Sequence, residues 1–268
     1  SKAIKEGDYE KAAALLKAAL KKDTDSKEIK KALAWSLNEL GLKAQKGGDF
    51  VSAKGHFTEA ASLNKEPALL QNLANAKINL KDYKGAANTL EEISAEPYAK
   101  LMLGDIYYRL GKESYQYGRV DEARAYFDKS LSMNPTDEKV RDVLAQLKAE
   151  HAVESKMTKT DGSHFLVKYE GGENAVTGHV IAILLEEAYY KVGVDFGFYP
   201  DDKIEAVLMT KETFRDITGS PSWAGALYDG RIKLPVGGIS GKTELLEKVL
   251  FHEYTHAVVH RLSGGKAP

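Results

Sequence analysis

The sequence predicts a multidomain chain: an all-α helical solenoid followed by an α+β lobe. Three observations carry this. A short phrase recurs four times in the first half. The apolar pattern then changes from helical to alternating. Near its end the chain carries His252-Glu253-Tyr254-Thr255-His256, an H-E-x-x-H pentad inside an apolar helical run.

The recurring phrase reads Gly7-Asp8-Tyr9-Glu10-Lys11-Ala12, then Gly48-Asp49-Phe50-Val51-Ser52-Ala53. It returns as Lys81-Asp82-Tyr83-Lys84-Gly85-Ala86 and as Gly118-Arg119-Val120-Asp121-Glu122-Ala123. The alanines are spaced by 41, 33 and 37 residues, and an apolar residue follows each by four: Leu16, Phe57, Leu90 and Phe127. Each phrase stops one helix and starts another, so each unit holds two helices. Repetition near 34 residues with two helices per unit is the signature of a solenoid, in which small residues admit close helix approach and aromatics fill the gaps. Residues 136–156 read as a closing helix. The first domain is assigned to 1–156.

Apolar content falls around Ser155 to Ser163, and a second domain is assigned to 163–268. His164 to Glu170 alternates, with Phe165, Val167 and Tyr169 on one face, as a strand does. Ala175 to Val192 reads as a helix, Ile204 to Thr210 as a strand and Glu212 to Thr218 as a short helix stopped by Gly219. Ala224 to Tyr228 and Arg231 to Val236 form a hairpin around Asp229-Gly230. Leu245 to Leu262 closes the series as a helix capped by Thr243 and stopped by Gly264-Gly265. Strand, helix, strand, helix, hairpin, helix is an α+β order.

The balance of 38 basic and 39 acidic residues gives a net charge of −1, which provides no basic surface for nucleic acid. No apolar run approaches the length of a membrane span, and the first six residues do not read as a signal peptide. With no cysteine there are no disulfides and no thiolate ligands.

Random placement of these residue types gives on the order of 0.01 matches to H-E-x-x-H in a chain of this size. The pentad is therefore a signal. Residues four apart share a helix face, so His252 and His256 reach one metal ion. Zinc lowers the pKa of a bound water, and Glu253, beside the first histidine, is the candidate base. His260 lies about 12 Å further along, too far to share that ion, and is expected to be partly exposed or to support the site from outside. His56, His151, His164 and His179 lack ligand spacing and are expected to be surface or structural. The stretch from Gly237 to Thr243 resembles a phosphate-binding loop but is one residue too short, so it is read as a Gly-rich loop ending in a helix cap.

The first half resembles the tetratricopeptide repeat. Leu103-Gly104 and Tyr107 match its first helix, Ala123, Phe127 and Pro135 its second, with about seven extra residues between them. The resemblance implies a protein or peptide partner in the repeat groove. Residues from about Ser163 resemble the N-terminal lobe of the thermolysin-like, or gluzincin, zinc peptidases, most closely the peptidase-MA-like domains found behind such repeats in bacterial proteins. That resemblance implies zinc on His252 and His256, Glu253 as catalytic base, and a peptide or protein substrate. It implies an edge strand, here Gly225, Ala226 and Leu227, that binds the substrate backbone. It also implies a third zinc ligand, a glutamate expected beyond Pro268, so that the 268 residues alone would be weakly active or inactive. The family leans towards the bacterial cell envelope. The alternative is a repeat scaffold with a non-catalytic peptidase-like domain.

Overall fold

The structure is a computed structural model, and it describes residues 2–170, 175–219, 226–236 and 241–265. The chain divides into two compact units, residues 1–110 with 129–136 and residues 111–128 with 137–268.

The first unit is a stack of helix pairs. Helices α1 (Lys2–Lys5), α2 (Tyr9–Leu20), α3 (Lys27–Lys46), α4 (Phe50–Leu63), α5 (Pro67–Asn79) and α6 (Tyr83–Glu91) follow one another, each packing on its neighbours. The recurring phrase explains the joints. Gly7 and Gly48 take left-handed φ values of 74° and 81°, which glycine adopts without a Cβ penalty, and end the preceding helix. The aspartate that follows caps the next helix: Asp8 accepts from the Lys11 N–H, Asp49 from Ser52 and Asp82 from Gly85. Ala12, Ala53 and Ala86 are fully buried where helices meet, with Phe57 and Leu90 filling the space alongside. Asn72 on α5 donates to Asn38 on α3 at 2.7 Å, which sets these two helices side by side. Lys17 on α2 pairs with Glu59 on α4 in the other row.

Helix α7 spans Pro97–Gln116 without a break, and α8 spans Val120–Met133. The seven residues expected as an insertion between Tyr107 and Ala123 are therefore part of one long helix. A Cβ on Gly111 would lie 2.7 Å from the Phe127 ring, and one on Gly41 would lie 2.5 Å from the Phe57 ring. Gly111, not Gly104, thus occupies the place beneath the second-helix aromatic that Gly41 occupies in the earlier pair. The extra turns extend the N-terminal end of α7.

The second unit is built on a five-stranded mixed sheet in the order β1-β2-β3-β5-β4. Its strands are β1 (Thr158–Asp161), β2 (Phe165–Tyr169), β3 (Ile204–Met209), β4 (Leu227–Tyr228) and β5 (Ile232–Pro235). β2, β3 and β5 run parallel, and β1 and β4 are antiparallel edges. Strand β1 lies in the stretch read as a boundary. Its sequence, Thr-Lys-Thr-Asp, is almost wholly exposed and carries no apolar alternation to reveal it.

Helices α10 (Ala175–Phe196) and α12 (Glu244–Leu262) cover one face of the sheet. Phe165 and Val167 of β2, Ile204, Ala206 and Leu208 of β3, and Ile232 and Leu234 of β5 point into this layer and meet Leu185, Leu250, Tyr254 and Val258. The opposite face holds a smaller apolar cluster of Met157, Val207, Met209 and Phe214 of α11 (Lys211–Thr218). It also holds charges. The Arg231 and Lys233 side chains, on alternate positions from Ile232 and Leu234, are 1% and 0% exposed. They face α9 (Glu138–Glu154), where Glu150 accepts from Arg231 Nη2 at 2.5 Å and from Lys233 Nζ at 3.0 Å. Glu154 accepts from Arg231 Nη1 at 2.6 Å and from Lys168 Nζ at 3.0 Å. The helix expected to close the solenoid with a charged outer face therefore turns two glutamates inward and belongs to the compact unit of the sheet.

Candidate functional site

The pentad lies on α12, whose Thr243 side chain accepts from the Leu246 N–H at 3.2 Å and starts the helix. Leu246, Leu250, Tyr254, Ala257 and Val258 recur at helical spacing and are buried, which fixes how the helix is rotated on the sheet. The opposite face then carries His252, exposed, and His256, half-buried. Glu253 falls at the border between the two faces and is 8% exposed.

The two imidazoles converge. His252 Nε2 and His256 Nε2 are 3.2 Å apart, with rings nearly perpendicular at 86°. Two nitrogens bound at ~2.0–2.1 Å to a tetrahedral zinc would be separated by about 3.3 Å, so the pair fits one ion as it stands. Among the described residues no group of three or more His, Cys, Asp and Glu side chains is gathered for a metal.

Burial pushes the Glu253 carboxyl above its usual range, and the nearby His252 and His256 together with the backbone N–H of Tyr228 pull against that rise. Tyr228 belongs to the two-residue edge strand β4, which packs against α12. Of the residues expected on that rim, Ala226 and Leu227 are half-buried, and Gly225 lies outside the described residues. The Gly-rich loop at 237–240 lies outside them as well.

Arg261, two turns beyond the pentad's glutamate, binds Asp202 through Nε at 3.2 Å and Nη2 at 2.9 Å, and donates to Tyr228 Oη at 3.2 Å. These residues were not singled out in the sequence, because their meeting depends on the register of β4, which no local pattern encodes. His260 does not join the pair. It is 5% exposed, not partly open, with its ring 5.3 Å from that of Tyr117 and 6.1 Å from that of Tyr228. His164 holds Glu186 through Nδ1 at 2.6 Å and stacks on Tyr189 at 3.6 Å, a structural tie between the start of β2 and α10.

No helix among the described residues is long and apolar enough to cross a membrane. Family models described as tetratricopeptide repeat match residues 3–45 and residues 104–137. The second match spans the 34 residues of one full repeat with Gly111 inside its first helix, so no insertion is needed there. No curated protein matches the chain. Among solved structures, the first tetratricopeptide domain of human RPAP3, determined by NMR, is 22% identical, covering 45% of this chain and 93% of that one with a TM-score of 0.29. The first such domain of Spaghetti (RPAP3), bound to the HSP90 peptide SRMEEVD, is also 22% identical, covering 44% and 93% with a TM-score of 0.30. Residues 3–45 and 104–137 thus carry tetratricopeptide repeats, and neither family match extends past residue 137.

Proposed function

We propose that this chain is a protein-binding repeat scaffold that also carries a centre for peptide-bond hydrolysis. The repeats support the first part. Stacked helix pairs offer an extended surface suited to a peptide or a partner protein. In the first unit α3 turns Trp35, 43% exposed, and Leu42, 37% exposed, to solvent two turns apart, with Asn38 between them. An aromatic anchor flanked by amides that bond a peptide backbone is the usual chemistry of such surfaces. With Trp223→Phe as background, Trp35 is the sole tryptophan. Its emission is expected to shift when a binding peptide selected from a random library is added. Trp35→Ala is expected to weaken that peptide at least about tenfold. Equal affinity of the parent and the variant would remove α3 from the binding surface.

The hydrolytic part rests on one observation, the 3.2 Å approach of the two Nε2 atoms with Glu253 between them in sequence. The order β2, α10, β3, α11, hairpin and α12 fits a gluzincin-like N-terminal lobe. Zinc, held by His252, His256 and further ligands, would supply a Lewis acid that acidifies water and polarises the scissile carbonyl. Glu253 takes the proton of the attacking water and delivers it to the amine as the C–N bond breaks. Strand β4, at the end of the sheet order, would hold the substrate backbone by strand addition through Ala226 and Leu227. Zinc-dependent cleavage of a peptide library that disappears with Glu253→Gln tests this reading.

A further inference from the structure

We propose that α10 is a dimerisation helix: the apolar ridge on its outward side packs against the same ridge of a second copy of this chain, running antiparallel.

Within the second unit α10 is apolar on both sides. Its inner side, Ile181, Leu184, Leu185, Ala188 and Val192, is buried in the layer over the sheet. Two glycines hold it close: a Cβ on Gly178 would lie 2.5 Å from the Tyr169 ring, and one on Gly193 would lie 2.1 Å from the Tyr199 ring. Packing this tight fixes how the helix is rotated. The other side carries Val176, Ile183, Tyr190 and Val194, which are 64%, 48%, 57% and 71% exposed. At 3.6 residues per turn they fall within about 40° of one another around the helix, directly opposite the buried side. They form a continuous line, unlike the single apolar residues scattered over an ordinary surface. A helix that is apolar all round is normally covered on both sides.

Three features select a second copy as the cover. The first is spacing. Val176 and Tyr190 stand seven residues before and after Ile183. A two-fold axis at Ile183 therefore sets isoleucine on isoleucine and, to either side, valine against tyrosine, small against large. The ridge is complementary to itself when reversed, as an isologous contact requires. A seven-residue step drifts about 20° around the helix, which matches the crossing angle of about +20° at which two such ridges interlock.

The second is charge. Glu186 is held by His164, Glu187 lies 3.0 Å from Lys242, and Lys191 lies 3.6 Å from Glu247. These charges beside the ridge are balanced within the chain. They do not repel a like surface, and they do not make the lysine-rich border that suits an anionic membrane. The third is area. The four side chains expose about 400–500 Å² per copy, so that two copies with their polar rims reach roughly the 1,200 Å² at which specific interfaces begin.

Sedimentation velocity of the full chain between about 1 and 100 µM tests this, with a chelator present so that metal cannot bridge the exposed histidines. A reversible dimer is expected. Ile183→Glu is expected to raise its Kd at least about thirtyfold and Tyr190→Ala about tenfold, as losses at the centre of an interface do. Both side chains are exposed in the single chain, so the circular dichroism of each variant should match the parent's. Val51→Glu, at a position 67% exposed on the first unit, should leave the dimer unchanged. A parent that stays monomeric at about 100 µM, or a dimer equally strong in Ile183→Glu, would overturn the proposal. So would a monomer that pellets with phosphatidylcholine–phosphatidylglycerol vesicles and loses this in Ile183→Glu, since the ridge would then belong to a lipid surface.

Discussion

Arg231→Leu is expected to destabilise the sheet-bearing unit by about 3–5 kcal/mol, the usual consequence of removing one partner from a buried ion pair. Both nitrogens of the guanidinium fork are in use, one on Glu150 and one on Glu154. Without it the cations left within reach of these glutamates are Lys233 on Glu150 and Lys168 on Glu154. For a unit of about 150 residues this corresponds to a fall of roughly 10 °C in Tm. Arg231→Leu combined with Glu154→Gln is expected to recover part of the loss, because the second change removes a charge left without its partner. If instead the double variant is worse than the sum of the two single changes, the cluster is not the charge-compensated unit described above.

The same cluster sets a pH dependence. Burial alone would raise Glu154, but the charges of Arg231 and Lys168 outweigh it and hold the carboxyl below its usual value. Its contribution is therefore present above about pH 4.5 and is lost as pH falls through the lowered folded value. Lys168 is opposite in sign. Burial lowers it, but its bond to Glu205 and the charges of Glu154 and Glu205 prevail and raise it. That contribution is complete below about pH 10.5 and is lost as pH rises through the raised folded value. Tyr115, pushed up to about 12 by burial and by Asp229, loses its contribution between about pH 10 and 12. Urea midpoints should form a plateau between these limits. The gap between parent and Arg231→Leu should narrow as acid protonates Glu154.

The second large effect concerns Glu253→Gln. If the pentad is a hydrolytic centre, this change should cost about 10²–10⁴ in kcat, the range for loss of a general base. It should leave zinc affinity and Tm nearly unchanged, since glutamine fills the same space and neither histidine moves. His252→Ala and His256→Ala should instead lose the metal. A protein whose peptide binding and cleavage are both indifferent to Glu253→Gln is a scaffold in both units.

The elements that were legible in the sequence are those whose signal is local. The Gly-Asp-aromatic phrase announces a helix stop and a cap within three residues, and the structure places both there. The pentad's spacing fixes two imidazoles on one helix face whatever surrounds them. The alternation of Phe165, Val167 and Tyr169 marks a strand with one buried side. What was not legible depends on partners far along the chain. Strand β1 has no apolar face of its own and is defined by pairing with β2. Gly104 and Gly111 are about two turns apart in a continuous helix, and only the packing of Phe127 on Gly111 sets the register. Arg231 and Lys233 alternate with buried residues as solvent-facing charges do, and only the glutamates of α9, about 80 residues earlier in the chain, show that this face is closed.

The central claim is that the two imidazoles of His252 and His256 share one cation. Zinc K-edge X-ray absorption on the zinc-loaded protein at millimolar concentration measures this without requiring turnover. The expected spectrum contains two imidazole ligands with nitrogen near 2.0 Å, reduced to one in His256→Ala. A zinc shell without imidazole, or one unchanged in that variant, would contradict the account.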